Sequence, residues 1–343
     1  MGNQNLRPYL WILISGFAFS WMAILTPLAG RSCGWSVVAM VRCIIPLIVI
    51  TLWAKWDGVK LVIWGTPVLW IRSIAGSCSL VCTFSVLASV HVTGLQVTDI
   101  YTIANIFPIW VALLSWPMLG RFPSGIVWLS IVSSIVGVAL IQGAELQTGN
   151  YAALIVVAVS IFTAVAMLGL NRLKGLDPRA VVVHFSATGL VFAAASYFIF
   201  PTAEPPEAFD VHHVLELIGI GLSASMGQYF LTKAFTAGDP ARVSVASLLQ
   251  FVMVLLLDVL ILQNPLDWHK LWGIPLILGP TVWLMLQRVK TSALAPVAPS
   301  AAAVLAAVES PPRVPVESVD ELERIIAAGG SRRFPEPRRG GSQ

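Results

Sequence analysis

The chain has 343 residues, of which 57% are hydrophobic and 11% charged, with a formal net charge of +4. A soluble domain carries about 25% charged residues, and one with less than half of that would expose large apolar patches to water, so a water-soluble fold is excluded. Lys and Arg stand singly between apolar runs, with no basic stripe to follow a phosphate backbone, which excludes a nucleic-acid partner.

A bilayer core of about 30 Å takes roughly 20 apolar residues of helix. The first such run, Tyr9–Leu28, follows a short start containing Arg7 and ends near Leu28-Ala29-Gly30, faintly like a signal-peptide cleavage site. It is long enough to span, and nine more runs follow, so it reads as an uncleaved first helix. The others are Val37–Trp53, Val68–Val90, Val97–Leu119, Ile126–Gln142, Tyr151–Leu170, Ala180–Phe200, Val214–Phe235, Val243–Leu262 and Leu271–Gln287. Polar or turn-forming pieces such as Lys55–Lys60, Gly120–Ser124, Asn171–Pro178 and Pro201–His213 separate them. The 13 tryptophans suit the headgroup level of a membrane. The four cysteines, Cys33, Cys43, Cys78 and Cys82, have neither C-x2-C spacing nor histidines at zinc-site spacing, so neither a disulfide nor a metal is expected.

Basic loop residues set the expected orientation. The N-terminal end and the even-numbered loops hold Arg7, Lys55, Lys60, Arg121, Arg172, Lys174, Arg179 and Arg242, and Arg288 and Lys290 follow the last span. The odd-numbered loops hold Arg31 and Lys270, and the stretch Pro201–His213 is acidic, with Glu204, Glu207 and Asp210. Both ends of the helical region are therefore expected in the cytoplasm, with a bacterial inner membrane as the expected location. From about Thr291 the chain turns Ala/Pro/Val-rich and then charged, a composition that cannot bury enough apolar surface to fold alone. Residues 289–343 are expected to form a disordered cytoplasmic tail, whose Arg332, Arg333, Arg338 and Arg339 are placed to touch anionic headgroups.

A shift of 142 residues aligns the two halves: Arg121-Phe122-Pro123 falls on Gln263-Asn264-Pro265, Gly137 on Gly279, Ala104 on Ala246, Pro108 on Gln250, and Arg42 on His184. Five helices per repeat is an odd number, so the second half enters the membrane from the opposite side. The predicted fold is thus an all-α polytopic membrane protein of ten transmembrane helices in two inverted five-helix repeats, residues 8–145 and 150–288. Inverted repeats are a recurring construction of secondary transporters, with a midplane site between the halves.

The stretch Gly227-Gln228-Tyr229-Phe230-Leu231-Thr232-Lys233-Ala234-Phe235, running into Asp239-Pro240-Ala241-Arg242-Val243, resembles the EamA branch of the drug/metabolite transporter superfamily. Asn105-Ile106-Phe107-Pro108, Leu119-Gly120, Gly137 and Arg42 resemble the corresponding first-half pattern. Gly120-Arg121 and Leu262-Gln263 stand where that family usually carries Gly-Glu. The resemblance covers residues 8 to 288 and implies a ten-helix transporter of metabolites such as amino acids or their derivatives.

Ionisable residues within a bilayer cost roughly 2.5–3.5 kcal/mol each and usually face a cavity or a partner. Arg42 either contacts a substrate carboxylate or phosphate or pairs with Asp99 or Asp258. His184, Asp99 and Asp258 are the candidates to carry a coupling proton, set against packing for His184 and helix capping for Asp99. Tyr101, Asn105, Gln228, Tyr229 and Gln250 offer hydrogen bonds to a substrate or between helices, and Trp21 an apolar wall. Arg72 and Lys233, near helix ends, read as snorkelling side chains. No G-x-x-x-x-G-K-[ST], H-E-x-x-H, G-x-S-x-G or G-x-G-x-x-G occurs, so no catalytic residue, cofactor or ATP site is expected. The expected partners are a small-molecule substrate, the lipid bilayer and a coupling ion or proton, with a homodimer left open. A channel, a structural subunit and an intramembrane enzyme are the rival readings.

Overall fold

Within lipid a backbone N–H or C=O finds a partner only inside its own segment, so an apolar run that enters a bilayer becomes helix. The computed structural model describes residues 6–29, 33–62, 64–88, 103–120, 122–142, 151–199, 210–261, 263 and 268–286. Helices are α1 Arg7–Ala29, α2 Trp35–Trp56, α3 Pro67–Ala88, α4 Phe107–Leu119, α5 Gly125–Gln142 and α6 Tyr151–Arg172. They continue with α7 Pro178–Ile199, α8 Val211–Ala237, α9 Pro240–Ser247, α10 Leu249–Ile261 and α11 Trp268–Leu286. Six stretches are long and apolar enough to cross a membrane, α9 and α10 counting as one, and four shorter apolar helices complete ten spans. The tail from Thr291 lies outside the described residues.

Two predicted spans differ from simple helices. The fourth, expected as Val97–Leu119, is described from residue 103 and makes a turn at Asn105-Ile106 before α4. The ninth, expected as continuous Val243–Leu262, is broken at Leu248 between α9 and α10. The breaks are equivalent. Ile106 N–H donates to the Ile103 carbonyl at 3.1 Å and Ile109 N–H to the Ile106 carbonyl at 2.9 Å. Under the 142-residue shift, Leu248 N–H donates to the Val245 carbonyl and Phe251 N–H to the Leu248 carbonyl, both at 3.1 Å. These tightened i→i−3 turns have different local causes. Pro108, in the first turn of α4, lacks an N–H for the preceding turn. In the second half the Ser244 and Ser247 hydroxyls donate back to the Ala241 and Ser244 carbonyls at 2.8 and 2.7 Å, competing with the helix ladder.

Packing repeats the same relation. α1 lies on α8 and α3 on α6; α2 lies on α7 and α5 on α11; α3 touches α7 and α2 touches α8; α4 touches α6 and α10 touches α1. Exchanging the two halves maps each of these pairings onto itself or another of the set, as a pseudo-two-fold relation requires.

Polarity is distributed as a bilayer demands. Among the buried side chains are Ser15, Ser20, Ser73, Ser77, Ser134, Ser160 and Ser244, small groups that let helix backbones approach closely. Large apolar residues such as Leu129, Val191, Phe198, Leu260 and Leu286 point outward, where lipid solvates them. Trp56 ends α2 and Trp268 begins α11, both exposed and at opposite ends of the bundle, as interfacial tryptophans sit. Helix ends are fixed by local chemistry. Gly120 closes α4 in the left-handed region at φ 67°, and Asn171 Nδ2 donates to the Phe235 and Gly238 carbonyls at 3.0 and 2.8 Å, tying α6 to the end of α8.

Candidate functional site

The serines and glycines that bring α1 against α8 and α10 leave a gap between these helices and α3, α6 and α7. Ser15 Oγ donates to the Gly227 carbonyl at 2.8 Å, and Ser20 Oγ to the Gly16 carbonyl at 2.7 Å and the Gln250 carbonyl at 3.2 Å, fixing the α1 side of the gap. The result is a central cavity of about 580 Å³, a size suited to a small organic molecule. Both halves of the chain line it, and the two helix breaks meet it at Asn105 and Ser247.

Of the residues singled out in the sequence, Arg42, Asn105, Gln228, Gln250 and Asp258 line this cavity. Arg42 is half-buried on α2, and Asp258 lies on α10 two turns beyond Gln250. Gln228 is buried on α8, and its Oε1 has no hydrogen-bond partner among the described residues. Amides and hydroxyls donate and accept, Arg42 and a second lining arginine, Arg72, attract anions, and the remaining wall is largely apolar, so the cavity suits a solute with both a polar head and an apolar body.

The other candidates stand elsewhere. Trp21 is exposed on the outer surface, with its ring edge-on to Phe17 at 6.5 Å. His184 is buried beside α3: its Nδ1 lies 2.8 Å from Ser73 Oγ and its ring meets Trp70 edge-on at 4.6 Å. Tyr229 packs on Trp53 at 4.8 Å. Asp99 and Tyr101 lie outside the described residues.

One expectation is overturned. Arg72 does not snorkel: it is 1% exposed, its guanidinium carbon sits 4.1 Å above the Phe185 ring, and it lines the cavity. A readable signal was present, because Arg72, Gly76, Ser79 and Thr83 recur at the helical period along an otherwise apolar run, and all four face the cavity. Lys233 is likewise held rather than extended, with Nζ 4.7 Å from the Trp11 ring and 5.2 Å from the Tyr229 ring.

Where α1 begins and α2 ends, charged and aromatic groups tie four helices together. Arg179 on α7 pairs with Asp57 beyond α2 and with Asp177 at 3.1 Å, and lies 5.0 Å over Trp53. Trp53 continues to Tyr229 on α8, and Lys233 carries the chain of contacts to Trp11 on α1. Partial burial raises the Asp177 carboxyl's pKa, but hydrogen bonds from Arg179 outweigh it and hold the group below its ordinary value. This latch joins the first half of the chain to the second.

Ten lipid-solvated spans around a polar-lined central chamber define a multi-pass membrane transport protein. Residues 150–286 match the model of the EamA-like transporter family. That match covers the second half of the helical region, and together with the exporter relatives it supports a transmembrane transporter of small solutes similar to the drug/metabolite transporters. It is 25% identical over 241 residues to the pseudopaline exporter CntI of Pseudomonas aeruginosa strain UCBPP-PA14, covering 69% of this chain and 81% of the relative. The CntI protein of strain PAO1 matches to the same extent. A protein of known crystal structure, 18% identical, shares the fold with a TM-score of 0.70 over 81% of this chain and 97% of its own.

Proposed function

We propose that this chain carries a small organic solute across the bilayer by alternating access, without ATP, at a site in the central cavity. One observation supports the reading above the rest: Arg42 and Asn105 from the first half and Gln228, Gln250 and Asp258 from the second line a single chamber. A site shared by two pseudo-symmetric halves opens to either face as they rock against each other. The Arg179–Asp57 pair and the Trp53–Tyr229–Lys233–Trp11 chain then form the contact that rocking breaks at one end. The repeats are residues 8–145 and 150–288, threaded in opposite senses, with both ends of the helical region in the cytoplasm, in keeping with the loop charges. The relatives are exporters by name, which favours efflux across a bacterial inner membrane.

In this reading the protein is a carrier rather than an enzyme. Arg42, Asn105, Gln228 and Gln250 hold an amino acid, a derivative or a similar metabolite, and Asp258 takes the coupling proton. The test is counterflow in proteoliposomes loaded with labelled metabolites and given no ATP. Unlabelled substrate outside should accelerate exit of label. Flux that is indifferent to solute on the far side would make the protein a channel, and flux that requires ATP would overturn secondary transport.

A further inference from the structure

We propose that Arg72 is the anion-binding residue of the cavity and that the solute it receives carries a carboxylate. This rests on the transport reading above and assigns a residue and a substrate class within it.

Arg72 has the largest side chain that is fully buried in the described structure. A guanidinium does not lose its proton in a protein, and a buried charge is costly without an opposite charge and hydrogen bonds. Among the described residues no acidic group pairs with Arg72, and two of its three nitrogens lack an acceptor. Its attraction to the Phe185 ring at 4.1 Å engages one face of the group, while Nε and Nη1 are buried without a hydrogen-bond partner among the described residues. A ring face satisfies no in-plane N–H.

The surroundings hold the side chain where it is. A Cβ at Gly169 would stand 3.0 Å from the Arg72 Cβ, and one at Gly76 would stand 2.8 Å from Phe185 Cε2. The two glycines therefore make room for the arginine stem and for the ring beneath its head. The cavity thus receives a cation that no described residue pairs, held on a fitted support.

Charge supplies the substrate class. Among the described residues, the charged ones lining the cavity are Arg42, Arg72 and Asp258, a formal balance of +1. A singly charged anion neutralises this chamber. Carboxylates are monoanions at neutral pH, whereas a phosphate monoester carries about −1.5 to −2. A carboxylate also accepts paired N–H bonds from a guanidinium in a planar, charge-assisted geometry that an ammonium does not reproduce. Ile12, Phe19, Phe107 and Leu231 leave an apolar surface for the rest of the molecule.

The test compares melting of purified wild type, Arg72→Met and Arg72→Lys with a panel of monocarboxylates, N-acyl and free amino acids and dicarboxylates, their primary amides and their phosphonate analogues. Free acids should raise the wild-type melting temperature and amides should not. Arg72→Met should weaken acid binding roughly 10- to 100-fold, with Arg72→Lys between the two. Without ligand, Arg72→Met should melt at or above wild type, because the substitution removes a buried charge that no described group balances. Lower unliganded melting, or failure to fold, would make Arg72 structural and overturn the assignment. So would equal shifts by acids and amides, acid shifts retained in Arg72→Met, or no shift by any acid. Larger shifts by phosphonates would overturn the carboxylate class. If acids bind through Arg72 but no solute shows counterflow, the transport reading falls and the anion site stands. Counterflow at wild-type KM in Arg72→Met leaves transport standing and removes the site.

Discussion

Gly137 and Gly279 occupy equivalent places in the repeat, yet their surroundings differ. A Cβ at Gly137 would stand 2.8 Å from the Gly273 carbonyl oxygen, 2.8 Å from Ile277 Cγ1 and 3.0 Å from Leu276 Cβ. Ordinary carbon contacts begin near 3.5 Å and C–H···O contacts near 3.3 Å, so Gly137→Ala is short of space by roughly half an ångström. Backbone oxygen and Cβ atoms cannot rotate away, and α5 must move off α11. Overpacking of this kind costs about 1–3 kcal/mol. Separation also stretches the Ser133 Oγ to Leu276 carbonyl hydrogen bond of 3.1 Å, one turn earlier on the same seam, worth about 0.6 kcal/mol between membrane helices. The helix-propensity gain of alanine offsets little, since membrane helices are already formed when apart. The expected loss is about 2 kcal/mol. Gly279 has nothing within 4 Å of its added Cβ, and Gly279→Ala should stay within about 0.5 kcal/mol of wild type. Unfolding by SDS titration in mixed micelles, followed by tryptophan fluorescence, measures both. Wild-type stability for Gly137→Ala, or equal losses for the two variants, would refute the reasoning.

Arg179→Ala should leave melting nearly unchanged, because a partly exposed ion pair contributes only about 0.2–1 kcal/mol, but it should speed maleimide labelling of a Ser79→Cys probe from the latch end of the cavity. Asp177 has a depressed carboxyl pKa, so its contribution to the latch is present above the ordinary carboxylate value and is lost as pH falls through the lower, folded one. Labelling of the same probe, taken relative to a free thiol at each pH, should therefore be level from pH 8 to about 5 and rise only below about pH 4. Gln228→Leu should raise the KM of counterflow while leaving melting within about 0.5 kcal/mol, since Oε1 has no partner among the described residues to lose. His184→Phe should cost about 1–3 kcal/mol by stranding the buried Ser73 hydroxyl, and should leave the pH profile of flux in place. A profile that loses its step in this variant would make His184 a proton carrier.

The spans were legible because lipid asks only for length and apolar content, which are local properties. Pro178–Ile199 and Gly125–Gln142 begin and end within two residues of the runs read from the chain. The break at Leu248 was not legible: it comes from serine hydroxyls turned back onto their own helix, and serine elsewhere in the chain sits in unbroken helix. The candidate site was half legible. Arg42, Asn105, Gln228, Gln250 and Asp258 line one chamber, as polar groups costly to lipid would. Trp21 and Tyr229 carry the same chemistry on other faces of their helices, and a one-dimensional count of polar or aromatic residues does not record a face.

The sequence alone determined that the chain lives in a membrane and that it crosses about ten times as helix. Only the tertiary structure decided which groups meet. It buried Arg72 beneath a cavity wall where position near a helix end had suggested exposure, packed Gly137 against a neighbouring backbone and left its counterpart Gly279 open. The physical reason is range. Burial in lipid is settled residue by residue along a helix, whereas the cost of a buried charge or an added methyl depends on atoms tens or hundreds of positions away.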